Sequence, residues 1–176
     1  GSGSTQLTFG TTTSGSVNYT WQEISPGSAS GSGSWSGTTL TITGLPAGAT
    51  IRLQIAPVNF QRIIINIGTD RNRLTQVEQW GTTAWTSMQT AFRGCANLQV
   101  TATDVPNLSG VTSLRQMFES CTTLNSPSNI NTWNTAAVTS MYGMFDGASA
   151  FNQNIGAWNT GAVTDMQRMF QLATTF

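Results

Sequence analysis

Two cysteines and seven carboxylates are the groups in this chain with the means for covalent, metal or acid–base chemistry. Cys95 and Cys121 occupy the same place in successive sequence units, so a disulfide between them is geometrically open. The plainer alternative is a pair of reduced, buried thiols acting as small hydrophobes. Two Cys without any His do not make a zinc site. Glycoside hydrolysis needs two opposed carboxylates. Glu23, Asp70, Glu78, Asp104, Glu119, Asp146 and Asp165 fall in different registers, and no motif fixes two of them together, so they read as solvated surface charge. With His absent, the commonest general base is missing; with all seven basic residues Arg, Schiff-base chemistry is missing too. There is no nucleophile elbow or phosphate loop, and Asp70-Arg71-Asn72-Arg73 lacks the Gly and Glu of a calcium loop. The expectation is a protein with no catalytic, cofactor-binding or metal-binding residues.

The candidates for recognition are polar and aromatic. Asp70, Arg71 and Arg73 form a charged junction that could contact a ligand, although a turn is its ordinary role. Trp35 lies in the Gly/Ser-rich stretch from Ser28 to Gly37, expected to be a mobile loop, and is the aromatic best placed to meet a sugar or a partner. Asn18-Tyr19-Thr20 and Asn107-Leu108-Ser109 match the glycosylation sequon, a pattern too short to weigh heavily.

Only 8% of residues are charged, against about 25% in ordinary domains, and the net charge is zero. A surface of Thr, Ser, Asn, Gln and Gly is more usual outside cells than in the cytosol. Without a basic stripe to displace phosphate counterions, nucleic acid is not an expected partner. No apolar run approaches the ~20 residues of a membrane span. The opening Gly1-Ser2-Gly3-Ser4 reads as a linker or a processed terminus.

Two kinds of element must position these residues. Up to about Asn72 the pattern has period 2: Leu7 and Phe9, Val17 with Tyr19 and Trp21, Leu40 and Ile42, Ile51 with Leu53 and Ile55. Residues 1–72 therefore predict an antiparallel β-sandwich-like domain of five or six strands, with turns at Pro26-Gly27 and Pro46-Ala47-Gly48. The run Ile63-Ile64-Ile65 predicts a strand covered on both faces.

Over residues 73–176 the pattern becomes a tandem repeat. Trp80, Pro106, Trp133 and Trp158 open four units, separated by 26, 27 and 25 residues. Each unit carries Thr86, Thr112, Thr139 or Thr164 where a helix N-cap belongs, and Gln89 and Gln167 complete a capping box in two of them. An apolar series at i, i+3, i+4 and i+7 follows: Met88, Ala91, Phe92, Cys95; Leu114, Met117, Phe118, Cys121; Met141, Met144, Phe145, Ala148; Met166, Met169, Phe170, Ala173. That spacing predicts one face of a short helix, and Leu98, Val100 and Ala102 then alternate as a strand does. Stacking such units makes a continuous core. The fold class expected is mixed α+β, with the β domain followed by a leucine-rich-repeat-like α/β solenoid of about four coils. The Met/Phe face of the last unit predicts that the natural chain continues, or that this end is an interface, either through further repeats or through a homo-oligomer. One Thr per unit is explained by capping better than by an ice-binding array. Asn107, Asn134 and Asn159, also in register, suit a stacked amide ladder with turn hydrogen bonds.

The pattern Trp-Asn-Thr-x-x-Val-Thr-x-Met-x-x-Met-Phe-x-x-Ala-x-x-Phe-Asn-Gln is nearly complete at 133–153 and shorter at 158–176. It resembles the bacterial surface-protein repeat of about 26 residues, of the mycoplasma-lipoprotein type related to BspA-like leucine-rich repeats. The resemblance covers roughly the last 100 residues. The first two copies depart from it, with Trp85 in place of Val and Pro106 in place of Trp; Cys95 and Cys121 stand at the Ala position. Every residue in the motif is structural: Trp80, Met88, Phe92, Met117, Phe118, Trp133, Met144, Phe145, Trp158, Met169 and Phe170. The resemblance implies exposure on a cell surface and non-enzymatic adhesion to protein or glycan on another surface. A virion component, such as a tail-fibre or capsid-decorating protein, is the alternative, and an enzyme acting on glycans comes third.

Overall fold

The structure, a computed structural model, describes residues 5–66 and 68–176. The Gly1-Ser2-Gly3-Ser4 segment lies outside the described residues. Six strands form first: β1 (Leu7–Thr13), β2 (Val17–Ser25), β3 (Ser30–Trp35), β4 (Thr39–Ile42), β5 (Thr50–Ile55) and β6 (Phe60–Ile64). They make two antiparallel three-stranded sheets, ordered β4-β1-β6 and β3-β2-β5. Alternation sets their facing. Phe9, Leu40 and Ile42 are buried from one sheet and Val17 from the other, while half-buried Tyr19, Trp21, Leu53 and Ile55 pack against the same core. At the end of β6, Ile63 and Ile64 are half-buried and Ile65 is buried, so the apolar run is covered less completely than its composition suggested.

The stretch from Ser30 to Trp35 is a strand rather than the expected mobile loop. Its Gly/Ser alternation has a packing cause. Gly31 pairs with Trp21 and Gly33 with Tyr19 across β2. A Cβ on Gly31 would sit 2.6 Å from the Trp21 indole nitrogen, and one on Gly33 would sit 2.6 Å from the Tyr19 hydroxyl. Both rings lie across β3 and need bare backbone beneath them.

The second region overturns the mixed α+β reading and its α/β leucine-rich-repeat solenoid. Among the described residues there is no α-helix, only two short 3-10 turns at Arg71–Arg73 and Ile130–Thr132. The protein is nearly all β, completed by a two-stranded parallel sheet of β7 (Gln76–Val77) and β8 (Gln99–Val100). Where helices were expected, consecutive β-turns run instead. Ala91 N–H bonds to Met88 O at 3.1 Å, Cys95 to Phe92 O at 3.0 Å, and Leu98 to Cys95 O at 3.1 Å. The same three bonds recur over 114–124, 141–151 and 166–176. The third residue of the first turn is always left-handed: Thr90, Gln116, Gly143 and Arg168, at φ 54–60°. So is the third residue of the second turn, in Gly94, Ser120, Gly147 and Leu172. Positive φ at that place marks a type II turn, and no α-helix survives it every fourth residue.

Alternate amides leave each unit for the next. Met88, Thr90, Phe92 and Gly94 donate to the carbonyls of Ser113, Arg115, Met117 and Glu119 at 2.7–3.2 Å. Leu114, Gln116, Phe118 and Ser120 donate in turn to Ser140, Tyr142, Met144 and Asp146, and the third unit repeats the pattern onto the fourth. A ribbon of four-residue turns thus aims residues i, i+3, i+4 and i+7 inward, as one helix face would. This is why the apolar spacing read as helical.

The expected Thr caps are reassigned too. Thr139 and Thr164 donate their hydroxyls, and their amides, to the carbonyls of Thr112 and Thr139 in the preceding unit. Gln89 and Gln167 close no capping box: their amides bond to the side chains of Ser87 and Asp165, two residues back, as Arg115 does to Ser113 and Tyr142 to Ser140.

Inside the stack the aromatic side chains form a column. Phe92, Phe118, Phe145 and Phe170 lie 5.7–5.8 Å apart with interplanar angles of 6–17°. Trp133 stacks on Trp158 at 6.5 Å. Met88, Phe92, Met117, Phe118, Met144 and Phe145 are essentially inaccessible; Trp80, Trp133, Trp158 and Met169 are buried, and Phe170 is half-buried. Phe60 of β6 meets Trp85 edge to face at 5.4 Å, so the sheets and the stack share one hydrophobic cluster.

Candidate functional site

The strand pairing that turns Tyr19 and Trp21 inward turns the opposite parity outward. On that outer face, Ser32, Thr20 and Gln54 form one row across β3, β2 and β5, and Ser30, Gln22 and Arg52 form the next. Thr20 donates to the Gln54 side-chain carbonyl at 3.4 Å. An open groove of about 550 Å³ runs over these residues, with Ser28 at one end. Neutral hydroxyls and amides dominate it. The one charge is the Arg52 guanidinium, which is held by the Glu78 carboxylate at 2.6 Å and thereby kept above its usual pKa. Such a surface offers donors and acceptors to a neutral, polyhydroxylated or peptide ligand. Reading the sequence missed it, although alternate polar residues in three strands were the available signal.

A second groove, of about 410 Å³, lies on the flank of the stack between Val100–Thr103 and Asn125–Asn129. There Asn129 donates its amide nitrogen to the carbonyls of Ala102, Thr103 and Asp104, and its side-chain oxygen has no protein partner.

The residues singled out from sequence are dispersed. Trp35 is half-buried, its indole donating to the Thr11 hydroxyl at 3.1 Å and its ring packing between Tyr19 and Phe60. Asp70 accepts the Thr8 amide at 2.8 Å and pairs with Arg73, which also donates to the Gln6 carbonyl. Arg71 stands close enough to Cys95 to act electrostatically on it. Asn107, Asn134 and Asn159 each accept the amide two residues ahead, which fixes a turn in the second, third and fourth units.

Cys95 and Cys121 are free, buried thiols; Cys121 donates to the Phe92 carbonyl at 3.1 Å. Desolvation pushes Cys95 up to about 12 against a small opposing pull from Arg71, and burial pushes Cys121 well up, with Cys95 adding to the shift. Neither is a nucleophile near neutral pH.

Every carboxylate is engaged within the fold. Glu23 accepts from Ala29 N–H, Asp104 from the amides of Trp80 and Gly81, and Asp165 from Gln167 N–H. Glu119 pairs with Arg93 at 2.8 Å and Asp146 with Arg168 at 3.1 Å, completing the set with Asp70 and Glu78.

The fold and these faces define a β-rich protein in which two small sheets adjoin a stack of turn-built units. The chain belongs to the family described as Mycoplasma protein of unknown function, DUF285, whose model matches residues 86–176. That match begins at Thr86, whose amide bonds to Gln61 of β6 and joins the stack to the first sheet. No curated protein and no solved structure matches the chain. Among the described residues no helix is long and apolar enough to cross a membrane.

Proposed function

We propose that the protein is a non-enzymatic binding module of the cell exterior, which engages protein or glycan on another surface. The observation that supports this reading is the outer face of β3-β2-β5: two rows of hydroxyl, amide and guanidinium groups along an open groove of about 550 Å³. All seven carboxylates hold backbone amides or Arg side chains, a structural use that suits this reading. The surface location rests on the low charge and on the resemblance of the repeat to surface proteins. In this reading residues 1–72 carry the binding face and residues 73–176 form the support that displays it.

The test is a screen of immobilised glycans and surface proteins, followed by titration of any ligand against Gln22→Ala, Gln54→Ala and Thr20→Val. These outward positions touch no core, so melting temperature should hold while affinity falls about tenfold or more, as for a lost hydrogen-bonding group in an interface. Unchanged affinity in all three, or turnover of the ligand, would refute the reading.

A further inference from the structure

We infer that the distal face of the fourth unit is a docking surface for another polypeptide unit of the same four-residue turn pattern, and that it does not serve as an interface between two copies of this chain. Along the turn ribbon the inter-unit hydrogen bonds all point one way, while on the flank the amides of Thr123, Thr139 and Thr164 donate back to Ala96, Thr112 and Thr139. In the first three units, amides at alternate positions of the ribbon donate forward, and in the second and third the carbonyls between them accept from behind. The fourth unit accepts through Asp165, Gln167, Met169 and Gln171, while the corresponding amides of Met166, Arg168, Phe170 and Leu172 donate to no protein acceptor. Around this row of four donors lies an apolar surface: Leu172 is 67% exposed, Phe176 52% and Met166 42%, with half-buried Phe170 among them. Phe170 and Phe176 stack on one another at 4.1 Å and carry the aromatic column out to this face.

What covers the face must therefore supply backbone carbonyls at two-residue spacing and an aromatic or Met column in register. A unit of the same pattern supplies both. A second copy of this chain does not supply the row of carbonyls. Two copies related by a two-fold axis would set donors against donors. A head-to-tail copy would have to offer its first unit, and that side is already closed. There the Ala91 carbonyl takes the Ile65 amide at 2.9 Å, the Gln89 carbonyl takes the Arg62 guanidinium at 3.0 Å, and Phe60 covers Trp85. The orientation of the ladder thus makes the stack extensible in one direction only.

The experiment appends a copy of residues 152–176 after Phe176 and follows amide hydrogen exchange. With the added unit, exchange at Met166, Arg168, Phe170 and Leu172 should slow by about 100-fold or more, as amides enter a cooperative ladder, and the melting temperature should rise. A version of the added unit with its Met and Phe replaced by Ser should leave those amides fast. The unextended chain should sediment as a monomer at high concentration. Unchanged exchange in the extended chain would overturn the proposal; so would protection by the Ser-substituted unit, or self-association of the unextended chain that Leu172→Arg abolishes.

Discussion

The sheets of residues 7–64 and the turn stack of residues 86–176 use the same backbone bond, an amide donating to a carbonyl of a neighbouring chain segment, yet they bury side chains with different periods. In β1 and β4 every second residue faces in: Phe9 and Thr11, Leu40 and Ile42. In the stack the inward set is i, i+3, i+4, i+7, because a left-handed residue every fourth position reverses the ribbon. The difference teaches that side-chain period reports which atoms point at the core and does not identify the hydrogen bonds behind them. A period near 3.6 is shared by an α-helix and by a ribbon of type II turns. What separates them is the residue tolerated at positive φ.

The largest effect expected comes from the column. Phe118, fully buried and stacked between Phe92 and Phe145, should cost about 3–5 kcal/mol when replaced by Ala, read from chemical denaturation. A loss below 1 kcal/mol would mean that the stack is loosely packed and the contrast with the sheets is overdrawn.

In the sheets, Gly31→Ala forces a methyl into the Trp21 ring. A cost of about 1–3 kcal/mol is expected from overpacking, with a changed tryptophan emission spectrum. If β3 were a mobile loop, the substitution would be neutral or slightly stabilising.

The sign of a glycine exchange divides turn from helix in the stack. Gly143, at φ 57°, should lose about 1–2 kcal/mol on mutation to Ala. Thr90, the β-branched residue at the same place in the first unit, should gain up to about 1 kcal/mol on mutation to Gly. A helix would give the opposite sign in both, by about 1 kcal/mol. Thermal melts of the two variants check this.

The smallest effect at neutral pH is that of the thiols. Burial raises both Cys95 and Cys121 in the folded state, so the unfolded chain loses its thiol protons first as pH rises. Stability should therefore be unaffected below about pH 8.5 and decline as pH rises from there towards 12, each thiol adding a slope of up to about 1.4 kcal/mol per pH unit. The double variant Cys95→Ala, Cys121→Ala, which copies the residues at Ala148 and Ala173, should flatten that decline. Urea titrations at pH 8 and pH 10 are the comparison.

Strands β1, β2, β4 and β5 were legible because a half-buried strand writes its two faces alternately into the sequence. β3 was not, since Ser30-Gly31-Ser32-Gly33 carries no apolar residue; its inward face is furnished by rings from β2. The inward positions of the stack were legible from spacing, whereas its backbone was not. Thr90, Gln116, Ser120, Arg168 and Leu172 hold left-handed turns that only Gly94, Gly143 and Gly147 announce. Thr86, Thr112, Thr139 and Thr164 looked like caps because an isolated unit needs one; in the stack, a neighbouring carbonyl takes the hydroxyls of Thr139 and Thr164. The polar face over β3-β2-β5 went unread for a related reason. Its residues come from three strands and share no motif, so only the pairing register brings them together.

The most direct test of the turn ladder is a through-hydrogen-bond coupling measured by NMR from the Phe118 amide. The ladder predicts a coupling to the Met144 carbonyl, its acceptor at 2.9 Å. A coupling to the carbonyl of Leu114, four residues back, would show a helix and contradict the account.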